Sequence, residues 1–150
     1  MDTPQVSLVT GSSGFIGSNL VERLAELGQE VRGLHRSPAP EGQYPEGGLA
    51  SERRGDILDV DSLRAAMDGC TQVFHLAGYA KNWARDPQTY WDINVGGLKN
   101  ALDAARTSSV RRVVWTSTFM TLGPTPPGEV CDETYERPAH PVYTHYEASK

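Results

Sequence analysis

The chain has 150 residues, of which 38% are AVILMFWYC, and its 14 lysines and arginines against 19 aspartates and glutamates leave a net charge of −5. That is enough apolar material for one core without metals or disulfides. No basic run exceeds two residues (Arg53-Arg54, Arg111-Arg112), which argues against sequence-independent binding to nucleic acid.

Gln5–Thr10 reads as a first strand, short, apolar and β-branched. Phe15–Leu27 follows with apolar residues at Ile16, Leu20, Leu24 and Leu27, a helical spacing, and Gly28 fits a C-cap. Glu30–His35 is a second strand. Ser37–Ala50, with three prolines and three glycines, is a loop, and Ser51–Arg54 a short, polar third strand. Asp59 or Asp61 is placed to cap a helix that runs to about Asp68 and ends at Gly69. Gln72–Ala77 is a fourth strand, Tyr90–Ser108 a long helix and Arg112–Thr116 a fifth strand. Gly123–Pro141 is a proline-rich loop, and a last helix begins near Val142. This alternation predicts an α/β fold, a doubly wound parallel sheet in a three-layer αβα arrangement.

Cys70 and Cys131 make no disulfide framework and fit a reducing compartment. The N-terminus, Met1-Asp2-Thr3-Pro4, lacks the basic region of a signal peptide, and no apolar run is long enough to span a membrane. The expected setting is cytoplasmic.

The most informative segment is Thr10-Gly11-Ser12-Ser13-Gly14-Phe15-Ile16-Gly17, three glycines spaced three apart between a strand and a helix. Gly11 allows the tight turn, Gly14 lets the backbone approach a pyrophosphate, and Gly17 lets helix and strand pack closely. The helix N-terminus adds free N–H groups and positive dipole charge. Where a binder of NAD often carries Asp or Glu to hold the ribose, the second strand ends in Leu34-His35-Arg36. No carboxylate repels a 2′-phosphate there, and Arg36 can pair with one, so NADP(H) is favoured over NAD(H). Alternatively, Arg36 stacks on the adenine or points into solvent.

From this turn onward the chain resembles the extended short-chain dehydrogenase/reductase family, also called the NAD-dependent epimerase/dehydratase family. The matching segments come in family order: the glycine turn; Gly55-Asp56-Ile57; His75-Leu76-Ala77-Gly78; Asn94-Val95-Gly96-Gly97; Thr116-Ser117-Thr118; and Tyr146-Glu147-Ala148-Ser149-Lys150. Trp83–Pro87 and Thr118–Gly123 resemble most the branch of dihydroflavonol-reductase-like proteins and hopanoid-associated sugar epimerases. The resemblance implies a Rossmann-type fold. Gly11, Ser13, Gly14, Phe15, Ile16, Gly17, Arg36, Asp56, Ile57, Leu76, Ala77, Gly78 and Thr116, together with Tyr146 and Lys150, would bind the cofactor, Asp56 near the adenine amino group. It further implies hydride transfer between nicotinamide and a ketone or secondary alcohol of a small-molecule substrate, and is compatible with a homodimer.

That chemistry needs a proton carrier at the substrate oxygen, and Tyr146 is the candidate. A free tyrosine titrates near ~10, too high for an efficient base at neutral pH, and a nearby cation lowers it. Lys150 lies four residues on, one helical turn away on the same face. Thr116, Ser117 and Thr118 all qualify by type to hold the substrate oxygen. The family pattern, counted back from Gly123, assigns Thr118. Asn94 is read as stitching strand ends together, and Gly96 and Gly97 as sites of close packing against the sheet. Trp83 and Trp91 are candidates for a substrate wall, or else packing residues.

Other chemistries find little support. His35, His75, His140, His145, Cys70 and Cys131 show no metal-ligand spacing. There is no GxSxG elbow and no GxxxxGK[ST] loop. A nucleotide-sugar epimerase or dehydratase would use the same residues, and a non-catalytic NAD(P)-binding regulatory module would be expected to lack the Tyr–Lys pair. The motif order also carries an expectation about extent. The chain reads as about half of an extended short-chain reductase, incomplete at the C-terminus without its substrate lobe, and by itself poorly stable and inactive.

Overall fold

The computed structural model describes residues 5–44, 46–136, 139 and 141–150. Met1–Pro4, on which the reading of the N-terminus rests, and His140 lie outside the described residues. The elements run β1 (Val6–Thr10), α1 (Phe15–Glu26), β2 (Glu30–His35), β3 (Ala50–Arg54), α2 (Val60–Met67), β4 (Gln72–His75), α3 (Gln88–Tyr90), α4 (Gly97–Arg106), β5 (Arg112–Trp115) and α5 (His145–Ala148). The five strands form one parallel sheet in the order β3-β2-β1-β4-β5. β1 is central and buried along its whole length, as a parallel strand covered on both faces must be.

Side-chain alternation along β1 divides the interior into two layers. Val6 and Leu8 face one side and join Leu63, Ala66 and Met67 of α2 and Ala101, Ala104 and Ala105 of α4. Val9 faces the other side and joins Val31 of β2 with Val21 and Leu24 of α1. Each fully buried aliphatic side chain here contributes about 1.5–3 kcal/mol. The predicted three-layer αβα sheet is therefore observed.

Several boundaries differ from the sequence-based expectation. The buried residues of α1 are Gly17, Val21 and Leu24, while Ile16 and Leu27 are exposed. The packing stripe is thus turned from the predicted one, because Gly17 alone allows close approach to the glycine turn. The α1 C-terminus closes as expected: Gly28 sits at φ +79°, with Gly28 N–H donating to Ala25 O and Gln29 N–H to Leu24 O. Asp59 is the cap of α2, accepting from the N–H groups of Asp61 and Ser62.

β4 ends at His75 rather than Ala77, because the Ala77 N–H turns to the Thr10 hydroxyl (3.1 Å). The long helix is not uniform. Between α3 and α4 the backbone widens into i→i+5 bonding over Trp91–Gly96. α5 begins at His145, not near Val142, capped by the Thr144 hydroxyl, which accepts from Glu147 N–H at 3.0 Å. Among the described residues no helix is long and apolar enough to cross a membrane.

Candidate functional site

The C-terminal ends of β1, β2, β3 and β4 open into a cleft of about 330 Å³, lined by Gly11, Ser13, Gly14, Leu34, Arg36, Gly55, Asp56, Ile57, Leu58, Leu76, Ala77, Gly78, Tyr79 and Ile93. At its floor lies the glycine turn. Gly11 has φ +71°, and a Cβ there would lie 2.8 Å from Ala77 N. A Cβ on Gly17 would fall 2.1 Å from Gly11 O. The turn is therefore pressed between β4 and α1 with no room for a side chain at Gly11 or Gly17, and Gly11, Ser13 and Gly14 line its open side. Such a cradle fits the diphosphate of a dinucleotide.

The β2–β3 side forms one end of the cleft. Arg36 lines the cleft, and its carbonyl accepts from Arg54 Nη2 at 2.7 Å. His35 turns inward and is buried, with its Nε2 at 3.0 Å from Ser12 Oγ and 2.7 Å from the Tyr44 hydroxyl. Burial, partly opposed by Glu52 and reinforced by Arg54, pushes the His35 pKa below its ordinary value. Asp56 borders the cleft. Its Oδ1 accepts from Leu58 N–H at 3.0 Å, and its N–H donates to Ser62 Oγ at 3.0 Å.

At the other end, His75 is buried against Thr10, its Nδ1 at 3.0 Å from Thr10 Oγ1. Burial first, and the Lys150 charge second, lower its pKa to about 4, so the ring is neutral at physiological pH. Asn94, in the middle of the wide helical turn, is buried as well. Its Oδ1 accepts from Tyr79 N–H (2.7 Å), and its Nδ2 donates to Tyr79 O (3.2 Å) and to Ser149 Oγ (2.8 Å). It ties the segment after β4 to the C-terminal turn. Lys150 Nζ donates to the Thr116 carbonyl at 2.8 Å and stands 3.6 Å from the position a Cβ on Gly78 would take. Burial lowers its pKa.

Of the predicted site residues, Gly11, Ser13, Gly14, Arg36, Asp56, Ile57, Leu76, Ala77 and Gly78 meet on the one cleft. Phe15 and Ile16 are largely exposed at the start of α1, and Gly17 is buried beneath the turn. Thr116 engages Lys150 through its carbonyl rather than its hydroxyl. Thr118 caps the short turn Phe119–Leu122, its Oγ1 accepting from Met120 N–H at 3.5 Å. Among the described residues no hydrogen bond joins Thr118 to Tyr146.

Close packing explains Gly97, where a Cβ would lie 2.6 Å from Ile57 Cδ1. It does not explain Gly96, whose Cβ would meet nothing nearer than Trp91 O at 3.7 Å. Trp83 lines a second cleft with Pro87, Tyr90, Tyr143, Thr144 and His145, and Trp91 lines neither cleft. Sequence reasoning missed Leu34, Leu58, Tyr79 and Ile93 on the first cleft, and it missed Gln43 and Tyr44 behind the glycine turn. The one signal for Tyr44 was a glycine inside a strand, Gly33, which often marks a close approach. Among the described residues no group of three His, Cys, Asp or Glu side chains could hold a metal ion.

A parallel sheet with a glycine turn between its first strand and first helix, a cleft at the strand ends and a C-terminal turn that seats Lys150 beside Gly78 together define a Rossmann-type α/β domain. The model of the NAD dependent epimerase/dehydratase family matches residues 7–150. This chain belongs to that family, within the short-chain dehydrogenase/reductase type. A Synechocystis protein whose name assigns it provisionally to dihydroflavonol 4-reductase is 35% identical over 145 residues, covering 95% of this chain and 41% of that one. The UDP-glucose 4-epimerase of Streptomyces lividans is 38% identical over 149 residues, covering 95% of this chain and 44% of the relative. The crystal structure of UDP-glucose 4-epimerase from Thermus thermophilus in complex with NAD superposes with a TM-score of 0.80 at 33% identity, over 97% of this chain and 47% of that one. The chain thus spans about two fifths of the length of the curated relatives it matches.

Proposed function

We propose that this chain carries the cofactor site and the proton-transfer residues of an NADP(H)-dependent oxidoreductase, which interconverts a ketone and a secondary alcohol on a small molecule. The observation that carries this reading is the position of Lys150. Its Nζ is anchored on the Thr116 carbonyl beside Gly78, at the inner end of the cleft. Tyr146 lies one helical turn before it. Family membership supports the dinucleotide, and the bare turn at Gly11–Gly14 fits its diphosphate.

Bound nicotinamide would supply or accept the hydride. Tyr146 then gives a proton to the substrate oxygen during reduction and takes it during oxidation. One of the three Lys150 N–H bonds is used on Thr116, which leaves two for the nicotinamide ribose and for the Tyr146 oxygen. Among the described residues the Thr118 hydroxyl accepts a long bond from Met120 N–H and donates none, which leaves its hydrogen to donate to the substrate oxygen. Arg36 on the cleft, and the lack of a carboxylate at position 35, support NADP(H) over NAD(H). A cytoplasmic setting agrees with Cys70 and Cys131 both being free thiols.

Tyr146→Phe tests the assignment. Turnover of NADPH with a responsive ketone or aldehyde should fall at least about a hundredfold, with NADPH binding retained. Full turnover in the variant overturns the role of Tyr146. A second reading is a nucleotide-sugar epimerase or dehydratase that uses the same residues. The similarity to the Streptomyces and Thermus epimerases favours it. NAD that copurifies with the protein, with no net turnover of added cofactor, would select it.

A further inference from the structure

Gln43 and Tyr44 lie in the segment between β2 and β3, outside the lining of the cleft, yet they grip the glycine turn from behind. Gln43 Nε2 donates to the carbonyl of Ser12 at 2.8 Å. Tyr44 reaches over β2 at Gly33, where a Cβ would lie 1.7 Å from the phenol oxygen. Any other residue at position 33 would therefore expel the Tyr44 ring. The Tyr44 hydroxyl meets His35 Nε2 at 2.7 Å, and the same nitrogen meets Ser12 Oγ at 3.0 Å. Ser12 Oγ also donates to Leu34 O at 3.0 Å. Ser12 is wholly buried, and both its side chain and its carbonyl are fixed by β2 and this segment.

The consequence follows from peptide geometry. In a planar trans peptide the C=O and the next N–H point in opposite directions. Gln43, which is not part of the cleft lining, draws the Ser12 carbonyl towards itself, so the Ser13 N–H of the same peptide points the opposite way, on a residue that lines the cleft. An N–H held in place before the ligand arrives costs no ordering when an anion binds.

We propose that Gln43 and Tyr44 are positioning residues for the cofactor diphosphate: Gln43 orients the Ser13 N–H through the Ser12 carbonyl, and Tyr44 locks Ser12 through His35. The inference rests on the dinucleotide reading of the cleft. It assigns to the β2–β3 segment a part in holding the phosphates that is separate from the ribose recognition at Arg36.

The test compares ligands with and without the diphosphate. Dissociation constants for NADPH, ADP and adenosine are measured by NMR titration on the full chain and on Gln43→Ala and Tyr44→Phe. Both variants should bind NADPH and ADP more weakly by a common factor, about fivefold for the loss of one hydrogen bond. Adenosine binding should be unchanged, and so should kcat at saturating NADPH where turnover is measured. Unaltered NADPH and ADP binding in both variants overturns the inference. An equal loss for adenosine also overturns it, since that would report a general loosening of the cleft. If Gln43→Ala does not fold, Tyr44→Phe, which keeps the ring over Gly33, carries the test alone. Failure of the unmodified chain to bind any of the three ligands refutes the dinucleotide reading itself, and the inference with it.

Discussion

Asn94 Nδ2 donates to Ser149 Oγ across 2.8 Å, joining positions 55 apart in the chain, while Oδ1 of the same amide accepts from Tyr79 N–H at 2.7 Å. One buried side chain thereby holds together the exit of β4, the wide turn of the long helix and the segment that ends in Lys150. Asn94→Ala leaves the Tyr79 N–H and the Ser149 hydroxyl without this partner. The expected cost is about 1–3 kcal/mol, read by urea denaturation. Faster amide exchange over residues 145–150 should accompany it. Unchanged exchange there would show that the C-terminal turn is held by something else.

The proposed role of Arg36 is to select NADP(H) over NAD(H). Arg36→Ala should weaken NADPH binding by about ten- to a hundredfold, the worth of one charge-assisted hydrogen bond, and leave NADH binding nearly the same. Equal changes for the two cofactors would mean that the guanidinium meets the adenine or solvent rather than a 2′-phosphate.

The paired glycines of the long helix should behave oppositely. Gly96→Ala adds a methyl that meets Trp91 O only at an ordinary 3.7 Å and gains helix propensity, so it should stabilise by about 0.5–1 kcal/mol. Gly97→Ala drives its Cβ to 2.6 Å from Ile57 Cδ1 and should cost about 1–3 kcal/mol once the overpacking is relieved. Thermal unfolding of the two variants decides. Shifts of the same sign would refute the packing account of Gly97.

His75 gives the fold an acid-sensitive element. Its folded pKa, about 4, lies below the ordinary value of 6.5 because burial disfavours the imidazolium. The unfolded chain therefore binds the proton first. The stability contributed by neutral His75 is complete above pH 6.5 and is lost as pH falls from there towards 4. The full loss is about 3 kcal/mol. Urea denaturation of the native protein and of His75→Gln at pH 7 and pH 4.5 measures it: the difference in stability between the two should narrow at the lower pH. A pH-independent difference would contradict a neutral, buried ring.

Much of the site is legible in the sequence because it depends on local covalent facts. Only glycine fits where Gly11 must take φ +71° against Ala77, and where Gly17 must touch the Gly11 carbonyl. A Tyr–Lys spacing of four is a helical turn whatever surrounds it. Strand and helix alternation implied the parallel sheet before any pairing was known. The strand order β3-β2-β1-β4-β5 and the cleft at the strand ends follow from that topology.

Contacts between distant segments were not legible in this way. Nothing local in Asn94 names Ser149, and nothing in Gln43 or Tyr44 names Ser12. The wide turn that carries Asn94, and the fact that Gly96 has room for a methyl while Gly97 meets Ile57, appear only when helix and sheet are packed. Backbone conformation is set by each residue and its neighbours, so the sequence by itself determined the turn, the order of elements and the candidates Tyr146 and Lys150. Hydrogen-bond partners and burial are set by which surfaces meet, so only the tertiary structure decided how Lys150 is seated, which way His35 turns and what stands behind the glycine turn.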